Sequence, residues 1–280
     1  GLAASVGLPD GPAQSIAVER SADGDRLAFL ATGTGGLSIV DASELLRPVS
    51  LGQIDLPGNN RDAGADIERG LAVVAAGPAG LHVVEISDPT TPALVQTVGL
   101  LDGADAVEVF DGFAYVASGS ELAVVDLLTQ QRTGAVNLGG TRVTDLALDG
   151  DILHALDSSG RLSAVDLSGA APALLGSINV SDSGGGLGVG GGFAYVSSSI
   201  FGVGFHVVDV SDPANMAVTA STPSATGMPA GGDIAINGSG LGVLVGAPPP
   251  TVGLNTEVGI VDVSDPADSS TQLLAFELPE

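Results

Sequence analysis

Four aspartates, Asp66, Asp105, Asp145 and Asp233, recur near the start of strand-like runs, and Ser15 and Gly186 hold the matching place in two further runs. Carboxylates are hard oxygen ligands, and four of them brought to one mouth would repel one another unless a cation or water stood between them. Ca2+ is the ion such a set would take. The competing reading is that each aspartate caps its own loop and points elsewhere. Glu68 and Glu108 lie further along the same runs and would deepen a negative field, which Arg61 and Arg142 in the approaching loops would partly offset. The three histidines, His82, His154 and His206, are dispersed over separate runs and cannot share an ion. Cysteine is absent, and no Ser-His-Asp set is recognisable, so the sequence names no catalytic residue.

What must position these side chains is a repeat. GLSIVDAS (36–43), GLHVVEIS (80–87), ELAVVDLL (121–128), RLSAVDLS (161–168), FHVVDVS (205–211) and VGIVDVS (258–264) each place an acid at the same point: Asp41, Glu85, Asp126, Asp166, Asp209 and Asp262. Self-similarity at about 40–45 residues, with only strand-like material inside each unit, is the mark of propeller blades. Each unit divides into four strand-like runs. They fall at 14–19, 26–31, 36–41 and 49–56 in the first unit and at 64–68, 71–76, 80–86 and 93–100 in the second. The third gives 104–110, 113–118, 121–127 and 131–138, and the fourth 143–148, 152–156, 161–167 and 173–180. The fifth reads 185–190, 193–198, 204–210 and 216–222, and the sixth 231–236, 241–245, 257–263 and 271–278. The expectation is an all-β, six-bladed β-propeller of four antiparallel strands per blade, one domain over 1–280.

A short carboxylate at the end of each third strand can accept backbone N–H groups of the turn that follows, which gives the repeated acid a structural role. Asp88, Asp212 and Asp265, each before a proline, start turns in the same way. The opening run Leu2–Leu8 resembles 94–100, an outer strand, and is expected to pair with the sixth blade and cover its edge.

Acidic residues outnumber basic ones 33 to 8, for a net charge of −25. Such a field repels phosphate, which excludes nucleic acid as a partner, and it suits a salty or calcium-rich medium. Mean hydropathy is +0.42, yet no apolar run approaches the ~18–20 residues that span a bilayer, so membrane insertion is not expected. The chain opens at Gly1 inside a strand-like stretch with no signal peptide, which reads as a processed form or a segment of a longer surface protein.

Two loops stand out. SDSGGGLGVGGG (181–192) is glycine-rich but precedes a strand, not a helix, so it is no phosphate cradle. GAPPPTVGLNTE (246–257) is an insertion of the kind that makes a binding surface on a propeller.

The phrases VVEISDPTTP (83–92), VVDVSDPAN (207–215) and IVDVSDPAD (260–268), with GFAYVAS (112–118) and GGFAYVSS (191–198), resemble the LVIVD repeat of bacterial and archaeal surface or secreted proteins. Blades one, three and four depart from it by lacking the Ser-Asp-Pro turn. The resemblance implies a propeller with a binding or structural role at the cell surface or outside the cell, and it supplies no catalytic residue. The expected partner is a protein or carbohydrate met at the loop face, and self-association is open. Two alternatives remain: a cation-dependent hydrolase or lyase with its site in the central channel, and a building block of a surface layer or appendage.

Overall fold

The computed structural model describes residues 6–8, 11–44, 46–180, 184–198, 205–221, 232–236, 239–246, 257–265 and 272–277. They form the six four-stranded antiparallel sheets of a six-bladed β-propeller. Among the described residues there is no helix, and so none long and apolar enough to cross a membrane.

The first compact unit, Gly1–Asn137, holds three blades. Blade one is β1 (Ser15–Arg20), β2 (Arg26–Ala31), β3 (Leu37–Asp41) and β4 (Val49–Ile54). Blade two is β5 (Asp62–Asp66), β6 (Leu71–Ala75), β7 (Leu81–Glu85) and β8 (Ala93–Val98). Blade three is β9 (Val107–Phe110), β10 (Phe113–Ser118), β11 (Glu121–Asp126) and β12 (Gln131–Asn137). The second unit, Leu138–Glu280, holds the other three. Blade four is β13 (Val143–Asp149), β14 (Ile152–Asp157), β15 (Arg161–Asp166) and β16 (Ala173–Asn179). Blade five is β17 (Gly184–Gly190), β18 (Phe193–Ser198), β19 (Phe205–Asp209) and β20 (Ala217–Ser221). Blade six is β21 (Ile234–Ile236), β22 (Leu241–Gly246), β23 (Glu257–Asp262) and β24 (Gln272–Glu277).

Burial follows strand order within a blade. Third strands such as LSIVD and LHVVE are buried on both faces and largely apolar, while fourth strands are largely exposed. Small and β-branched side chains dominate the packed faces. Between blades two and three, Val73, Ala75, Leu81 and Val83 meet Val107, Ala114, Val116 and Val125. Between blades four and five, Leu156, Leu162 and Val180 meet Leu187, Ala194 and Val208.

All six blades share one irregularity: a β-bulge between third and fourth strands, at Ile39/Val40, Val83/Val84, Val124/Val125, Ala164/Val165, Val207/Val208 and Ile260/Val261. Just before it, Gly52 of β4 and Gly176 of β16 let the next blade's proline turn approach. A side chain at Gly52 would begin 2.4 Å from the Pro89 carbonyl oxygen, and one at Gly176 would begin 2.6 Å from that of Pro213. The Ser-Asp-Pro turn of blades two and five is thus seated on the blade before it.

At the N-terminal run, Val6 and Leu8 pack against Ala28, Leu30 and Val40 of blade one. The rest of the run, 2–5, where pairing with blade six is expected, lies outside the described residues.

Candidate functional site

Each repeated acid ends its third strand and turns the chain. Asp41, Asp126, Asp166, Asp209 and Asp262 accept the backbone N–H two residues on through Oδ1, and Glu85 does so through Oε1, at 2.8–3.0 Å. In five blades that residue is serine, and its hydroxyl followed by its N–H holds the carboxyl of Asp41, Glu85, Asp166, Asp209 and Asp262 below the usual carboxylate range. A lowered native pKa stabilises the fold above the unfolded value of about 4, and the benefit fades as pH falls through the native values. Asp88 and Asp212 make the further turn expected of them: Asp88 accepts Thr90 N–H at 2.9 Å, and Asp212 accepts Ala214 N–H at 3.1 Å.

The first strands carry the acids nominated as cation ligands, and strand pairing corrects their alignment. Asp145 faces Leu156 and Asp62 faces Ala75, the same level of their blades, whereas Asp66 faces Leu71 at the far end of β5. Asp66 belongs to the β5–β6 turn, where it accepts the Arg69 backbone N–H at 3.0 Å and a guanidinium N–H at 2.6 Å. The β5–β6 turn, 67–70, is longer than the two-residue turn of blade three, so first-strand positions cannot be aligned by their distance from the second strand. Asp62, not Asp66, is the counterpart of Asp145 and Asp233.

These level residues tie one blade to the next. Asp62 accepts Ala63 N–H at 2.9 Å with Oδ1 and Val107 N–H of blade three at 2.8 Å with Oδ2. Asp145 repeats the arrangement with Leu146 at 2.9 Å and Leu187 of blade five at 2.7 Å. Asp233 accepts Ile234 N–H at 2.8 Å. Blade five has Gly186 at this level, and its N–H donates instead to the Gly232 carbonyl at 3.0 Å. A Cβ there would begin 2.4 Å from Asp233 Oδ1, so the backbone makes the link a carboxylate makes elsewhere. Asp105, one residue earlier in blade three, is buried and paired with Arg61 of blade two. Asp62→Ala should lower stability by about 1–3 kcal/mol, because the Val107 N–H is left without its acceptor. Urea denaturation measures the loss, and faster hydrogen exchange at Val107 would locate it.

Among the described residues, no three carboxylate or imidazole side chains converge so as to hold a metal ion. His82 is held at both nitrogens, by Thr97 Oγ1 at 2.9 Å and the Pro57 carbonyl at 2.8 Å, and pins β7 to the loop before β5. His206 is buried on β19. His154 on β14 is 1% exposed with no hydrogen-bond partner at either nitrogen. Burial lowers its pKa to about 4, against a smaller opposing pull from Asp149.

The sequence did not single out Glu108 as unusual. Burial first, then the charges of Asp62 and Glu19, push its pKa up to about 8, so it holds its proton at neutral pH. The cue lay in the pattern: at this level the other blades have Ala17, Gly64, Ala147, Gly188 and Ala235, each paired with the second strand as Glu108 is with Tyr115.

Of the loops nominated for recognition, 247–256 lies outside the described residues, as does 181–183, whereas the rest of the glycine-rich segment is strand β17 and its turn.

Comparison with known proteins supports the architecture. The LVIVD repeat is matched at 69–99, 103–127 and 184–222, on blades two, three and five. Blade three is matched over its first three strands, without a Ser-Asp-Pro turn. A protein of unknown function from Desulfotomaculum acetoxidans DSM 771 superposes with a TM-score of 0.69 at 13% identity, over 86% of this chain and 76% of that one. The β-propeller domain of Cps50 (Swd1) from Myceliophteria thermophila gives 0.63 at 12% identity, over 82% of this chain and 80% of that one. At such identity the likeness is one of fold. No curated protein matches the sequence. The chain is a six-bladed β-propeller that carries LVIVD repeats.

Proposed function

We propose that the protein is an extracytoplasmic binding or structural module, in which the blades form a rigid carrier and the loops around 181–192 and 246–257 meet a protein or carbohydrate partner. The observation that carries this reading is the use of the first-strand and third-strand acids. Asp62, Asp105 and Asp145 link blades, and the six repeated acids close turns, so the recurring polar residues maintain the scaffold. Variable loops on a fixed frame are where such folds place recognition. The LVIVD resemblance supports a place at the cell surface or outside the cell, and the acidic surface suits it.

Replacing 246–257 by a short turn should abolish binding to the native cell surface while the melting temperature stays within a few degrees. Unchanged binding would move recognition elsewhere.

A second reading rests on Glu108. A protonated carboxyl beside Asp62 and Glu19 has the form of a general acid, which suits hydrolase or lyase chemistry. Turnover of an ester, glycoside or uronate that disappears in Glu108→Gln and Asp105→Ala would favour the enzyme over the binding module.

A further inference from the structure

Asn179-Val180-Ser181 has the form of an acceptor for N-linked sugar: an asparagine with a hydroxyl two residues on and no proline between. Of the chain's asparagines, Asn179 and Asn237 have this setting. Asn237 lies outside the described residues, as does Ser181, whose part in the triplet is one of sequence. We propose that Asn179 is a modification site, carrying a glycan through an N-glycosidic bond.

Asn179 ends β16, the outer strand of blade four, where it is exposed and paired with Arg161 of β15. Strand alternation turns the next residue inward: Val180 is buried and packs with Leu156, Leu162 and Leu187 between blades four and five. The Val180 N–H donates to the Gly160 carbonyl at 2.8 Å, which fixes the backbone beside Asn179. The carboxamide therefore stands on anchored chain at the edge of its sheet, with no further strand of that sheet beyond it to obstruct a bulky group.

Blade three repeats the place without the signal. Asn137 ends β12, exposed, and pairs with the first residue of β11 as Asn179 pairs with the first of β15. Buried Leu138 follows it as Val180 follows Asn179. Two residues on stands Gly139, which has no hydroxyl. With strand position and exposure alike, the hydroxyl separates the two, and transfer should reach Asn179 alone of this pair.

The donor is a sugar chain held on a lipid phosphate. Asn179 Nδ2 bonds to the sugar's C1 as the C1–O bond to the phosphate breaks, the amide proton passes to a base of the transferring enzyme, and the lipid phosphate leaves with the electron pair. Such transfer belongs to secreted chains, so the inference rests on the extracytoplasmic reading proposed above. Exposed Leu174 and Leu175 lie about 15 Å back along the same strand, and a hydrated glycan at its end would help to keep that apolar edge in water.

The test is peptide mass spectrometry on the full chain produced in its native cells, with an externally added protease recording whether it lies outside them. The Asn179 peptide should be heavier by whole sugar residues, and the Asn137 peptide should carry none. Ser181→Ala and Asn179→Gln should each lose the added mass, and Ser181→Thr, which keeps a hydroxyl, should retain it. If a variant fails to fold, the wild-type spectrum decides. An unmodified Asn179 in protein found outside the cell would overturn the inference and leave the binding module standing. Unmodified protein confined to the cytoplasm would sink that reading and the inference together. Added mass that persists in Ser181→Ala would belong to a different reaction and would overturn the inference as well.

Discussion

Glu108→Gln should raise stability at pH 8 by about 4 kcal/mol and flatten its pH dependence. The native carboxyl titrates near 8 and an unfolded one near 4.5, so the wild type loses stability as pH climbs between those values. Each unit of separation is worth about 1.4 kcal/mol, and glutamine keeps the shape without the charge. Urea denaturation of both proteins at pH 5 and pH 8 gives the comparison. The difference should shrink to about 1 kcal/mol at the lower pH, where Glu108 is protonated in the native state and still partly ionised in the unfolded one. Parallel curves would place the pH dependence on another group.

His154→Phe has the opposite pH signature. At its level of the second strand the other blades carry Phe29, Val73, Tyr115, Tyr195 and Val243, each paired like His154 with the third-strand residue just before the bulge. The imidazole buries two unpartnered nitrogens between Ala147 and Ala164, where phenylalanine buries none. A gain of about 1–3 kcal/mol is expected at pH 7 from that alone. The imidazole's native pKa lies below its unfolded value of about 6.5, so the wild type loses further stability as pH falls from there through about 4. The advantage of the variant should therefore grow by about 3 kcal/mol over that interval. Thermal melts at pH 7 and pH 4.5 test it, and a constant difference would show that the ring does not titrate with folding.

The architecture was legible because it is written six times. One acid per blade at a fixed place after a buried run gave the blade count, and the same residues proved to close the same turn. The inner positions were harder to align, since first strands are short and rich in Ala, Gly and Asp, with no repeated phrase to set their register. Asp66 looked equivalent to Asp145 only while the length of the turn after β5 was unknown. Asp62 was overlooked for the same reason, although its partner Val107 lies forty-five residues on, one repeat away. Glu108 and His154 carry unusual environments that depend on what the neighbouring strands bury, and no local spacing encodes that.

The shared bulge bears on how such a molecule stays dispersed. Outer strands carry exposed apolar pairs, Leu94 with Val95, Leu174 with Leu175 and Leu273 with Leu274, on edges whose backbone groups would otherwise welcome a strand from another molecule. Between each third and fourth strand the bulge adds a residue to the outer one, Leu51, Val95, Thr133, Leu175, Thr219 or Leu273, and twists it locally. An incoming straight strand can then match only half of the edge before its hydrogen bonds fall out of step. The rims that carry these pairs become poor templates for one another, and copies of this protein at high concentration are kept from zipping together edge to edge.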